Sequence, residues 1–119
     1  TTLPLLATAR NDDWRLVWSD EFNTEGRLSP SVWNYEQGYV RNEEAQWYQP
    51  DNAVCKGGFL VIEARKERNR QNPLYIPGSN DWRKEREFIE YTSSSVTTAG
   101  KKEFLYGRFE VRARIPVER

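Results

Sequence analysis

Gly107-Arg-Phe-Glu-Val-Arg-Ala-Arg-Ile115 alternates residue by residue. Phe109, Val111, Ala113 and Ile115 fall on one side of an extended chain, and Arg108, Glu110, Arg112 and Arg114 on the other. Period 2 marks a strand with one face in a core and one in water. This is the clearest periodic segment of the chain, and it predicts a half-buried strand.

Upstream, the same signal recurs in shorter pieces. Phe88 to Tyr91 and Ser93 to Thr98 read as strand, closed by a turn at Ala99-Gly-Lys-Lys102. Ala53-Val-Cys55 and Phe59-Leu-Val-Ile-Glu-Ala64 flank Lys56-Gly57-Gly58, a hairpin signature. Ala45 to Tyr48 predicts a short strand ended by Pro50-Asp51-Asn52, Val32 to Tyr39 an aromatic-rich one, and Leu16 to Phe22 another. Residues 67–87 break the pattern with Pro73, Pro77-Gly78 and a charged run. They predict a long excursion between two strands, and long loops of this kind are often functional. Short strands, frequent turn signals and almost no helical periodicity predict an all-β sandwich or barrel. Such domains commonly run to about 200–250 residues. The chain has 119 residues, with Arg119 closely following the alternating segment. The expectation is therefore half of a sandwich, completed by further sequence or by a second chain.

Composition narrows the functions. Lys and Arg together number 18, equal to Asp and Glu, so no basic excess exists to hold a phosphate backbone, and nucleic acid is not expected as a partner. There is no histidine and a single cysteine, Cys55. An internal disulfide, a Cys/His zinc site and Ser-His catalysis are all excluded for want of residues. Cys55, in an alternating apolar stretch, reads as a buried free thiol. No stretch is long enough to span a membrane. Aromatic residues make up 13% of the chain, and their flat faces suit both cores and sugar sites.

Glycoside hydrolysis generally needs two carboxyl groups, roughly 5–5.5 Å apart in retaining enzymes. Residues i and i+2 of a strand share a face and supply such pairs. Glu43 and Glu44 are adjacent and would point apart; Glu85 and Glu87 lie in the charged excursion; Glu110 sits among arginines. Each reads first as a solvated surface group. Glu44 is distinguished by its neighbours Asn42, Gln46, Trp47 and Tyr48, because amides beside aromatic rings are what a sugar site uses.

Four stretches in order resemble glycoside hydrolase family 16, the laminarinase and lichenase family. They are Leu16-Val-Trp-Ser-Asp-Glu-Phe22, Asn42-Glu-Glu-Ala-Gln-Trp-Tyr48 and Gly58-Phe-Leu-Val-Ile-Glu-Ala64, and then Tyr91-Thr-Ser-Ser-Ser-Val-Thr-Thr98 with Tyr106-Gly-Arg-Phe-Glu-Val-Arg-Ala-Arg114. The resemblance spans residues 14–117. It implies a β-jelly-roll of two curved antiparallel sheets, of which residues 14–119 form the N-terminal half behind an extension at 1–13. It implies endo-acting, retaining hydrolysis of β-1,3 or mixed β-1,3-1,4 glucan, in a secreted, periplasmic or cell-surface protein. The family's catalytic Glu-x-Asp-x-x-Glu run has no match here, so no residue of this chain is expected to be a catalytic carboxylate.

The resemblance also assigns contacts. Asn42 matches the first Asn of a sugar-contacting Asn-Asn-Glu run, in which Glu43 departs from the pattern and Glu44 keeps it. Thr92-Ser93-Ser94-Ser95 matches a Thr-Ser-Gly-Arg run, so that Ser95 stands where the family has a long cationic donor. This departure tilts the expectation away from a strict laminarinase. Ser93 and Ser95 are carried forward with Asn42 and Glu44 as substrate-binding candidates. Glu21 and Gly58 match a carboxylate and a backbone carbonyl of a structural calcium site, usually completed by an Asp further along. Trp82, in the excursion, is the tryptophan least like a core residue and is a candidate sugar platform; Trp14, Trp18 and Trp33 read as core. Alternatives are a non-catalytic glucan-binding protein of the same fold, a relative acting on galactan or xyloglucan, and a β-sandwich interaction module.

Overall fold

The computed structural model describes residues 13–117. These divide into two compact units, one holding residues 20–103 and the other residues 13–19 with 104–117. The extension at 1–13 lies outside the described residues apart from Asp13.

The larger unit carries seven strands in three small sheets. They are β1 (Asn34–Tyr35), β2 (Gln46–Tyr48), β3 (Ala53–Lys56), β4 (Phe59–Ile62), β5 (Arg65–Gln71), β6 (Phe88–Ser93) and β7 (Val96–Thr97). A short 3-10 turn at Pro50–Asn52 joins β2 to β3, so the expected all-β character holds.

The β3–β4 hairpin forms where the sequence places it. Val54 faces Val61 and Lys56 faces Phe59, across a loop of Gly57 and Gly58. Both glycines have positive φ, 61° and 83°. That loop geometry matches the strand twist and is strained for residues with a Cβ. Ala53 and Cys55 point inward and are buried, while Val54 and Lys56 point outward. Gly26 exchanges two backbone hydrogen bonds with Cys55, at 2.9 and 2.7 Å, and so lies along the free edge of β3.

The sheet that positions the site runs in the order β2-β6-β5. β5 pairs antiparallel with β6, whereas β2 pairs with β6 in parallel, Gln46 opposite Tyr91 and Tyr48 opposite Ser93. Two purely antiparallel sheets were expected, and this parallel pair is a departure within them. It arises because the chain leaves β2, makes the whole β3–β4–β5 path and returns along β6 in the same direction. Ile89 and Thr92 of β6 are the most buried side chains of this sheet, at 1% and 0% exposure.

Beneath the sheet runs a satisfied polar network. Asn52 accepts from Gln49 Nε2 at 2.7 Å and donates to Glu63 O and Thr92 Oγ1, both at 2.9 Å. Thr92 donates to Glu67, and Arg70 donates to Gln49. Buried amides and hydroxyls are stable only when bonded in this way.

Three local expectations are corrected. Residues 67–71 belong to β5 rather than to the excursion, which is confined to residues 72–87. β5 reads Arg-Lys-Glu-Arg-Asn-Arg-Gln and sits at a sheet edge, where exposed charged side chains give no hydrophobic period and discourage further pairing. Gly107–Ile115 is not a strand, and the side chains on both of its sides are exposed, Val111 at 89% and Ile115 at 75%. Leu16–Phe22 is likewise outside any strand. Alternation supplies a face to bury, but a strand also needs a neighbour for its backbone groups, and among the described residues these two segments have no ladder. The smaller unit instead gathers aromatic rings: Trp18 lies 6.1 Å from Phe104, and Phe104 lies 6.2 Å from Phe109.

Candidate functional site

Gly38 and Tyr48 exchange backbone hydrogen bonds at 2.9 and 3.0 Å, closing the base of a loop that carries Asn42 and Glu44. Its tip is a tight turn in which Glu44 N–H donates to Arg41 O at 3.1 Å. The central residues Asn42 and Glu43 have φ of 58° and 51°. Positive φ at both positions is the type I′ pattern, which favours Asn and Gly. The turn leaves Asn42 exposed and turns Glu44 back toward β2.

There Tyr48 O–H donates to Glu44 Oε1 at 3.1 Å, and Gln46 Nε2 donates to the Tyr48 oxygen at 2.9 Å. Burial raises the Tyr48 pKa first, with the bond to Glu44 adding to it, so the phenol stays protonated as a donor. Glu44, Ala45 and Gln46 line an open depression of about 390 Å³ together with Ala64, Tyr91 and Thr92. A shallow surface combining a carboxylate, an amide and a Tyr ring suits sugar hydroxyls and C–H faces.

Ser95 lies beside this wall rather than free of it. Its Oγ–H donates to Glu36 Oε1 at 2.6 Å, and Glu36 N–H donates to Ser95 O at 2.9 Å. The Arg41 guanidinium holds both Glu36 oxygens, at 2.8 and 2.6 Å. The Glu36 carboxyl is therefore held below its ordinary value, by the Arg41 bond first and the Ser95 bond second. Local sequence gave no sign of this trio, because Glu36 and Ser95 are 59 residues apart. Ser93 and Ser94 are buried; Ser93 O accepts from Gln49 N–H at 3.0 Å.

Trp82 is half-buried. Arg83 lies over its ring with the guanidinium 4.4 Å from the centroid, and the Tyr39 ring packs at 6.0 Å. Tyr39 in turn meets Trp47 edge-on at 5.2 Å, so the excursion joins the aromatic cluster beside the loop. Arg83 was not singled out from sequence, and nothing in its charged surroundings marks it.

Glu21 and Gly58 are both exposed. Their neighbourhood is shared: Glu25 accepts from Gly57 N–H at 2.9 Å, and Asn23 Oδ1 lies 3.6 Å from where a Gly58 Cβ would stand. Asp20 is already engaged by Phe22 N–H and Trp33 Nε1–H, at 2.9 and 2.6 Å. Among the described residues no group of three His, Cys, Asp or Glu side chains is placed to hold a metal.

No family model matches this chain. It is similar to a β-glucanase of Rhodothermus marinus, 40% identical over 120 residues that take in 94% of this chain and 36% of that protein. One solved structure, from work on endo-acting O-glycanases of the human gut microbiota that initiate mucin breakdown, matches 79% of this chain and 34% of its own at 40% identity and TM-score 0.66. Another, a non-specific endo-β-1,3(4)-glucanase of family GH16, matches 82% of this chain and 35% of its own at 31% identity and TM-score 0.57. The chain thus spans about a third of the length of each of these relatives. Such matches place its fold with the β-jelly-rolls. Over most of its length it is similar to part of the laminarinase-like endo-β-glucanases, family GH16 among them.

Proposed function

We propose that this chain is part of an endo-acting, retaining β-glucanase that hydrolyses β-1,3 or mixed β-1,3-1,4 linkages. The observation that carries the reading is the 40% identity to a β-glucanase across 94% of the chain. In this reading Asn42 and Glu44 contact sugar hydroxyls from the cleft wall, Trp82 and the two serines Ser93 and Ser95 border it, and the catalytic carboxyl pair lies elsewhere in the protein. An amide donates and accepts at neighbouring hydroxyls, and Glu44 accepts, so together they orient a sugar without supplying the reacting group. Polymeric glucan does not cross membranes, which fits a secreted, periplasmic or cell-surface protein. Apolar side chains left exposed on the hairpin, Val54, Phe59 and Val61 among them, fit a partner segment from the rest of the domain, in the same chain or a second one.

Calcium is part of the proposal at the Glu21–Gly58 corner. A carboxylate and a carbonyl are the right kind of ligand, but calcium takes six to eight oxygens. Two from this corner would need waters and further protein oxygens, so the ion would tie this chain to another segment. A fall in melting temperature of the full-length protein on adding EDTA, reversed by calcium and absent in Glu21→Gln, is the expected result.

The test of activity is incubation of the full-length protein with laminarin and lichenan. Release of reducing ends as oligosaccharides of mixed size supports the reading. Retardation in a laminarin affinity gel without cleavage selects the glucan-binding alternative, and neither cleavage nor retardation overturns both. A second reading, hydrolysis of another glycan such as a galactan, is favoured by the likeness to the mucin-acting O-glycanase. Cleavage of mucin glycans in place of laminarin selects it.

A further inference from the structure

We infer that the 72–87 excursion is a buttress for the cleft wall, and that Arg83 is the positioning residue through which it holds the Asn42–Glu43 turn. The inference rests on the wall reading above for its effect on substrate, but its geometry stands independently. Gly38 is the last residue before the loop that bonds to β2, and beyond it the carbonyls of Tyr39 and Val40 leave the ladder. Arg83 takes both: Nε–H donates to Tyr39 O at 2.9 Å and Nη2–H to Val40 O at 2.7 Å. One rigid guanidinium fork thus replaces a missing strand in the residues that lead directly into Arg41 and Asn42. A lysine ammonium has no such planar fork.

The fork is itself held. Trp82 stacks against the guanidinium at 4.4 Å and packs on Tyr39. The neck of the excursion is closed by Asn72, 4% exposed, whose Nδ2 donates to Arg83 O at 3.1 Å and Arg86 O at 2.9 Å. Asn72 N–H donates to Glu87 O at 2.9 Å, and Ile76 N–H to Lys84 O at 2.9 Å. The excursion therefore has hydrogen bonds of its own, and its Arg83 guanidinium is directed at the backbone behind the turn rather than at solvent. Trp82 acts in this arrangement as the stacking support for Arg83.

The experiment uses the full-length protein with Arg83→Ala, Arg83→Lys and, as a control, Arg27→Ala, which removes an exposed ion pair with Asp51 and a cation–π contact with Tyr35 without touching the Tyr39 and Val40 carbonyls. Hydrolysis of a β-glucan oligosaccharide is measured well below each variant's melting temperature, together with amide hydrogen exchange. Arg83→Ala is expected to raise KM about tenfold, the equivalent of one or two lost hydrogen bonds, with kcat little changed. Exchange at Glu44 N–H, bonded to Arg41 O, should quicken while the β3–β4 amides stay as in the wild type. Arg83→Lys should fall between, and it decides the matter if Arg83→Ala does not fold; Arg27→Ala should do neither. A lowered melting temperature with unchanged KM and unchanged exchange at Glu44 overturns the proposal. If the wild-type protein does not cleave glucan, the glucanase reading fails separately, and exchange at Glu44 alone decides whether Arg83 holds the turn.

Discussion

Glu43 holds a backbone conformation that suits a residue with a Cβ poorly. Its φ of 51° is left-handed, and it follows Asn42 in the same state. A left-handed L-residue loses roughly 1–2 kcal/mol to contact between Cβ and carbonyl, whereas Asn tolerates the region through local hydrogen bonding. Glu43→Asn is expected to stabilise the protein by about 0.5–1 kcal/mol, read as a rise in the urea midpoint at unchanged slope. Glu36 makes a second prediction. Arg41 and Ser95 favour its ionised form, so its folded pKa lies below the ordinary 4.5. Their contribution is complete above about pH 4.5 and is lost as pH falls through the lowered folded value, where the folded state must also take up the proton. Stability measured in urea from pH 7 to pH 3 should fall more steeply for the wild type than for Glu36→Gln; parallel curves would contradict the assignment. Neither contact was visible in the sequence. The departure at Ser95 was legible, but its partner was not, because the pairing is made by β1 and β7 lying side by side.

At the scale of elements, what showed in the sequence was whatever carried its own local signal. The β3–β4 hairpin was marked by two glycines between alternating runs, and it folds as marked. β5 was hidden because an edge strand facing water carries charges where a buried one carries a period. The 107–115 segment had the best period and no ladder, since periodicity records which face is apolar and not whether a neighbour is present. Asn42 and Glu44 were legible as candidate site residues from their neighbours, whereas Arg83 acts on backbone carbonyls more than 40 residues away and leaves no pattern. The elements around Asn52 yield a prediction of their own. Its amide joins the 3-10 turn, the residue after β4, and β6. Asn52→Leu removes the partner of the Gln49 Nε2–H donor and of the Glu63 carbonyl, and should cost about 2–4 kcal/mol, since each buried unpaired group costs about 1–3 kcal/mol. Chemical denaturation measures it, and a loss below about 0.5 kcal/mol would show that water replaces the amide.

On the molecular scale, the ratio of core to exposed apolar surface governs behaviour. Among the described residues the buried apolar side chains are few: Leu28, Tyr39, Tyr48, Ala53, Cys55 and Ile89. In the larger unit Phe59 is 69% exposed, with Val54, Val61 and Ile62 also exposed; in the smaller, Phe109, Val111 and Ile115 are. Apolar area removed from water stabilises by about 25 cal/mol per Å², so these side chains forgo stabilisation that a covering segment would supply. Exposed apolar patches of this kind mark surfaces that another element contacts. The 119-residue chain on its own should therefore bind a hydrophobic dye such as ANS in its folded state and associate as its concentration rises. Cys55 gives an internal gauge of that state. It is 3% exposed and free, and burial raises its thiol pKa, with Asp20 and Glu25 adding to the effect. It should react slowly with DTNB while the β3–β4 hairpin is folded, and at the rate of an open thiol in urea. If a further segment covers these faces in the full-length protein, that protein should show weak ANS fluorescence, slower Cys55 labelling and no concentration-dependent association. Equal dye binding by chain and full-length protein would mean that the exposed apolar side chains are surface in both.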